Sequence, residues 1–231
     1  MAERPLFNME EEFAGLDCNS SRLEKRFIRT METLSKQPEQ SIWCCSENRA
    51  EAKAIYRMLG NENLHREEVL RAHREATIER MARQGGTILA VQDTTSLNYN
   101  TQTKMEGIGY IGDKTLGVNI HSSLAVTADG LVLGLLDQTS YNRAQAKDDS
   151  RSHESKKVRA LEEKESVRWV QALAASTAAL PKTVKVITVC DREGDMYELL
   201  DAAETSGQLF LIRAAQNRMT VEDSAILSSK K

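Results

Sequence analysis

Two short apolar runs, each stopped by an aspartate, constrain this 231-residue chain more than any other feature. Val184 to Cys190 (VKVITVC) is rich in β-branched residues and ends at Asp191. Thr87 to Gln92 (TILAVQ) repeats the design and ends at Asp93. Such runs read as strands buried on both faces, the condition of strands in a sheet covered by helices. After Asp191, Gly194 lets the chain turn into a helical pattern that begins near Asp195, itself read as the cap of that helix. Open α/β sheets place their ligands at the carboxyl ends of such strands. If the two strands are neighbours, Asp93 and Asp191 meet at one sheet edge and offer hard oxygens to a divalent cation such as magnesium. Taken singly, either aspartate is better read as a strand-end turn or helix cap. The pair is what points to a metal.

Ahead of these strands the pattern is helical. Residues 1 to 18 are acidic and weakly patterned, an irregular or partly helical lead-in. Ser21-Arg22-Leu23-Glu24 has the form of a capping box. Leu23, Phe27, Met31 and Leu34 then share one helical face, while Arg22, Arg26 and Arg29 occupy another. That basic row reads as a solvated surface or as a phosphate-contacting ridge, and from the residues alone the solvated surface is favoured. Pro38 closes the helix, and Ser46 is a candidate cap for a second one carrying Ala52, Ile55, Tyr56 and Leu59. A third covers His65 to Gln84, with Leu70, Thr77, Ile78 and Met81 on one side, and Gly85-Gly86 breaks it. The expected division is a helical domain over 1–84 and a second domain over 85–231.

The second domain alternates. After the Asp93 strand comes a glycine-rich excursion, Asn98 to Gly117. Val118 to Thr127 and Leu131 to Gln138 then read as strands of a hairpin turned at Ala128-Asp129-Gly130. A polar loop follows, bearing Arg143, Lys147, Arg151, Lys156, Lys157 and Arg159, and then a helix over Leu161 to Leu180 that ends at Pro181. The Asp191 strand, a helix over Asp195 to Thr205 and a fifth strand over Gln208 to Ala214 complete the pattern. Three antiparallel strands followed by two helical crossovers is a ribonuclease-H-like order, with a mixed five-stranded sheet. It puts Asp93 and Asp191 at one end, as a two-metal phosphodiester site requires. A doubly wound phosphatase fits less well, because a second aspartate is expected two residues after its nucleophile and Thr95 stands there.

Charge and composition narrow the partners. The net charge of −3 advertises no global affinity for nucleic acid, so any such surface must be local. No apolar run approaches the ~18 residues of a membrane span, and no signal-peptide pattern opens the chain. Cys18, Cys44, Cys45 and Cys190 lack C-x-x-C spacing and read as reduced thiols of a cytoplasmic protein.

These motifs together resemble the DDE transposases of the insertion-sequence-four family, in register from about residue 10 to 215. Arg22-Leu23 with Arg26-Phe27 resembles the basic start of the family's N-terminal DNA-binding domain. Ala52 to Arg57 with Asn61-Glu62-Asn63 is similar to its next helix and turn. Gln92-Asp93-Thr94-Thr95-Ser96-Leu97-Asn98-Tyr99 looks like the first catalytic motif, and Cys190-Asp191-Arg192-Glu193 with Asp195 the second. Glu106-Gly107-Ile108-Gly109, His121-Ser122 and Glu163-Lys164-Glu165-Ser166 with Arg168-Trp169 also match.

The resemblance implies magnesium-dependent cleavage and strand transfer at transposon ends, with Asp93 and Asp191 as catalytic metal ligands and manganese as a possible substitute. It implies binding of double-stranded inverted-repeat ends through Arg22, Arg26 and Arg29, and self-association or association with an intact transposase. A bacterial, nucleoid-associated setting goes with it. Two departures stand out. Asn19-Ser20 replaces a usual Gly-Asp, with Ser20 still able to serve as a capping residue. The family's third carboxylate, a Glu after a Tyr and Arg on a later helix, has no match before Lys231, and Glu222 and Asp223 lie too soon after the fifth strand. A C-terminally incomplete core with two of three carboxylates is therefore expected. The alternative is a catalytically inactive remnant that only binds DNA or inhibits. His121 is read first as a satisfied strand histidine and second as a DNA or active-site contact, and Trp169 as core.

Overall fold

The computed structural model of the chain describes residues 8–102, 104–111, 114–143, 167–178, 180–181 and 183–217. The chain divides into two compact units, Met1–Glu79 and Arg80–Lys231.

The first unit is helical. It holds α1 (Met9–Glu12), α2 (Ser21–Ser35), α3 (Ile42–Cys45), α4 (Arg49–Leu59) and most of α5 (Arg66–Gln84). Phe27 and Thr30 are the buried side chains of α2; Ala52, Ile55 and Met58 are those of α4. Phe27 joins Leu16, Cys18, Met58 and Ala72 in one cluster, with Phe13 edge-on to it at 4.9 Å between ring centroids. The caps differ from the expected ones by one or two residues. Ser20, not Ser21, caps α2 by accepting from the Leu23 N–H, and Glu24 reaches back to the Cys18 N–H at 3.1 Å. Asn48, not Ser46, caps α4; Ser46 instead donates to the Ile42 carbonyl and closes α3.

Asn19 has φ +54°, in the left-handed region that Asn tolerates better than most residues. The Asn19-Ser20 pair thus does locally what Gly-Asp would, a left-handed step followed by a helix cap.

Among the described residues, the second unit holds a six-stranded mixed sheet with helices. Gly85 and Gly86, at φ +65° and +71°, turn the chain from α5 into β1 (Gly86–Asn98). Then come β2 (Gly109–Tyr110), β3 (Leu116–Thr127), β4 (Val132–Tyr141), α6 (Val167–Thr177), β5 (Val184–Cys190), α7 (Tyr197–Thr205) and β6 (Leu209–Ile212). The central path runs β2-β3-β1-β5-β6, with β4 also on β3. β1 is antiparallel to β3 and parallel to β5, and β5 is parallel to β6. This is an α+β arrangement consistent with a ribonuclease-H-like core. The expected five strands become six because two residues of the glycine-rich excursion, β2, add a short pairing on β3.

One sheet face is built for burial. Ile88, Ala90 and Gln92 of β1 lie beside Thr127, Ala125 and Ser123 of β3 in register, all of them buried. Trp169, Ala172, Leu173 and Ser176 are the buried side of α6. Trp169 packs with Leu173, Cys190, Leu199 and Ala203, and Ser176 donates to the Ser123 hydroxyl at 2.7 Å. Gly194 is required here by close approach rather than by φ. A β-carbon at that position would stand 2.5 Å from that of Cys190.

Candidate nucleic-acid interface and acidic sheet edge

Side chains three, four and seven residues apart share a helix face. Arg22, Lys25, Arg26 and Arg29 follow that spacing on α2, and all four are exposed. Together with Arg57 of α4 they line an open groove of about 850 Å³ between the two helices, floored in part by Leu23, Ala54 and Met58. The three predicted arginines are therefore brought together, and the groove adds two cations that the reading missed. Lys25 was legible, since it fills the i+3 position of the arginine row. Arg57 was not, because only the packing of α4 against α2 brings it there. Ser20 and Ser21, at the N-terminus of α2, also line the groove, so the positive end of the helix dipole opens into it. Arg29 is the one groove cation with a described ion pair, to Glu51 at 3.5 Å. A row of cations along a shallow apolar floor suits a chain of phosphates better than a single small anion.

The acidic edge follows from the sheet register. β1 and β5 are parallel neighbours, paired through Gln92 with Cys190. One step further along both chains stand Asp93 and Asp191, with adjacent parallel strands about 4.8 Å apart. Gln92 and Cys190 are buried, so strand alternation turns Asp93 to the opposite face, and both aspartates are exposed. Asp191 keeps extended backbone and caps the 3₁₀ turn Arg192–Gly194, its Oδ1 accepting from the Glu193 N–H at 2.8 Å. Asp93 pairs across β3 with Ser122, whose hydroxyl accepts from the Gln138 amide at 3.3 Å. The edge thus reads Asp191, Asp93, Ser122, Gln138. Two exposed carboxylates in adjacent register are donors of the kind that a hard divalent cation takes.

Asp195 does not cap α7. Met196 holds that position with no side-chain hydrogen bond. Asp195 Oδ2 accepts instead from the backbone N–H groups of Ala215 and Gln216, at 2.6 and 3.0 Å. It ties the chain leaving β6 to the turn after β5.

His121 lies on the other sheet face from Asp93 and is fully buried. Thr94 Oγ1 is 2.9 Å from its Nδ1 and Gln92 Oε1 is 3.3 Å from its Nε2. The Trp169 ring stands edge-on at 4.5 Å. Burial first, and the Arg168 guanidinium second, hold its pKa down to about 4 from 6.5. It is a neutral core histidine that ties β1 to β3 beneath α6. Since the unfolded chain takes up this proton and the folded one resists it, stability is full above pH 6.5 and falls as pH drops toward 4. The loss approaches about 3 kcal/mol. Urea midpoints at pH 7.5 and 5 should register it, and His121→Gln should flatten the dependence.

Of the predicted basic loop, Arg143 is described, and its backbone pairs with Tyr110. Lys147, Arg151, Lys156, Lys157 and Arg159 lie outside the described residues, as do Glu163 to Ser166, Glu222 and Asp223. No described helix is long and apolar enough to cross a membrane.

Residues 8–64 match the family model described as transposase DNA-binding. The matched segment contains α1 to α4 and every cation of the groove. The match supports a transposase role in DNA binding, with DNA as the partner of this segment.

Proposed function

We propose that this chain is a transposase of the insertion-sequence-four type. It binds the inverted-repeat ends of a transposon as duplex DNA through the groove between α2 and α4. Just past the last residues paired between β1 and β5 it carries two aspartates of a metal-dependent phosphodiester site. The observation that carries the reading is the coincidence of the transposase DNA-binding match with five cations converging on one groove. In a chain of net charge −3, such a local concentration supports an anionic polymer as ligand. Arg22, Lys25, Arg26, Arg29 and Arg57 would contact phosphates and set the register of the protein on the duplex.

Asp93 and Asp191 would hold and orient a divalent cation, magnesium with manganese as substitute, which when bound polarises a phosphoryl oxygen and acidifies water. Ser122 and Gln138, in the same row, add neutral donors beside the carboxylates.

Binding of a fluorescent duplex at several salt concentrations tests the groove. With five contacts the plot of log affinity against log salt should fall with a slope of about −4.5. A slope shallower than about −2, or no binding, would count against the groove as a phosphate track.

A further inference from the structure

Glu51 occupies an unusual position relative to this groove. It stands at the third residue of α4, where its backbone N–H donates to the Asn48 cap at 3.0 Å and its Oε2 accepts from the Glu47 N–H at 2.7 Å. The carboxylate is therefore fixed by the helix end, and its side chain is only 9% exposed. Its second oxygen, Oε1, faces Arg29 Nη2 at 3.5 Å, while the Arg29 side chain is 61% exposed. A carboxylate held in place thus faces a solvent-reaching guanidinium that also lines the groove. A helix cap needs only the oxygen that Glu47 uses. The other oxygen competes with any phosphate for Arg29.

Resting on the reading of the groove as a DNA site, we infer that Glu51 is a charge brake. It holds Arg29 in the free protein and sets affinity for duplex DNA below what the five cations would give. Phosphate contacts carry no sequence information, so the brake acts most on indiscriminate binding. Its effect is to raise the share of affinity that must come from other contacts of a cognate site.

Glu51→Gln isolates the charge, because a glutamine at this position still accepts from the helix-end N–H. Affinity for a 20-base-pair duplex of arbitrary sequence should rise about two- to fivefold at low salt, the range that an exposed ion pair commands. The same substitution in an Arg29→Ala background should give no rise, since the brake has nothing left to hold. Glu51→Asp, whose shorter carboxylate withdraws from Arg29, should give a smaller gain and serves if the glutamine form does not fold by circular dichroism. Affinity unchanged or weakened by Glu51→Gln overturns the brake. So does an equal gain in the Arg29→Ala background, which would mean that Glu51 acts through bulk charge. Absence of binding by the unaltered chain is a different failure, that of the DNA reading itself, and it removes the brake with it.

Discussion

Alanine at Arg22, Arg26 and Arg29 together should lower affinity for duplex DNA by about 10²- to 10³-fold near 0.1 M salt, each lost phosphate contact accounting for roughly 0.9 of a log unit. The salt plot should flatten by about 2.7 in slope, which separates lost phosphate contacts from a damaged fold. The fold should tolerate the change. All three side chains are exposed, while Phe27 and Thr30, on the other side of α2, stay in place. The Thr30 hydroxyl donates to the Arg26 carbonyl, a backbone contact that alanine retains. The shares should be unequal, because Arg29 is already paired with Glu51 and Arg22 and Arg26 have no described ion pair. Single substitutions should therefore cost more at Arg22 or Arg26 than at Arg29. Equal affinity and equal slope in the triple variant would take this helix face out of the interface.

The strands that matter were legible because their chemistry changes abruptly, from β-branched apolar residues to a single carboxylate. That pattern located β1 and β5 and their order, and with the DG hairpin it implied the antiparallel neighbour β3; it misplaced the end of β1, which runs on past Asp93 to Asn98 because β3 keeps pairing with it there. α3 and β2 were not legible, since four and two residues are too short to show a period. The caps slipped because acceptable residues cluster: Ser20 beside Ser21, and Asn48 near Ser46. Which face a strand residue takes could be decided only by register and by the helix that covers it. That is why His121 stayed ambiguous until β3 was seen paired with β1 beneath Trp169. Asp195 misled for a different reason. Its hydrogen-bond partners lie 20 and 21 residues further on, beyond any local rule. One of the five groove cations was likewise nonlocal, since Arg57 joins the α2 cations only through packing.

The second large effect is expected at the acidic edge, where Asp93→Asn or Asp191→Asn should each weaken Mn²⁺ binding by at least about tenfold, through loss of one anionic ligand. Asparagine is the informative choice. At 191 its carbonyl oxygen can still accept from the Glu193 N–H, so the 3₁₀ turn keeps its cap and only the charge is removed. At 93 the side chain is exposed and its removal opens no cavity. Two carboxylates alone should hold Mn²⁺ weakly, with a dissociation constant on the order of 10⁻⁴ to 10⁻³ M. Electron paramagnetic resonance of free Mn²⁺ reads that range directly. DNA affinity should stay within about twofold in both variants, because the phosphate contacts come from the other compact unit. Nicking of duplex DNA needs more ligands than these two aspartates. Two cations ~4 Å apart repel one another and need more anionic oxygen than two aspartates supply. Robust nicking that Asp191→Asn abolishes would mean that other groups of this chain complete the ligand set. Mn²⁺ binding that neither substitution weakens would detach the metal from β1 and β5 altogether, and with it the chemistry proposed for this edge.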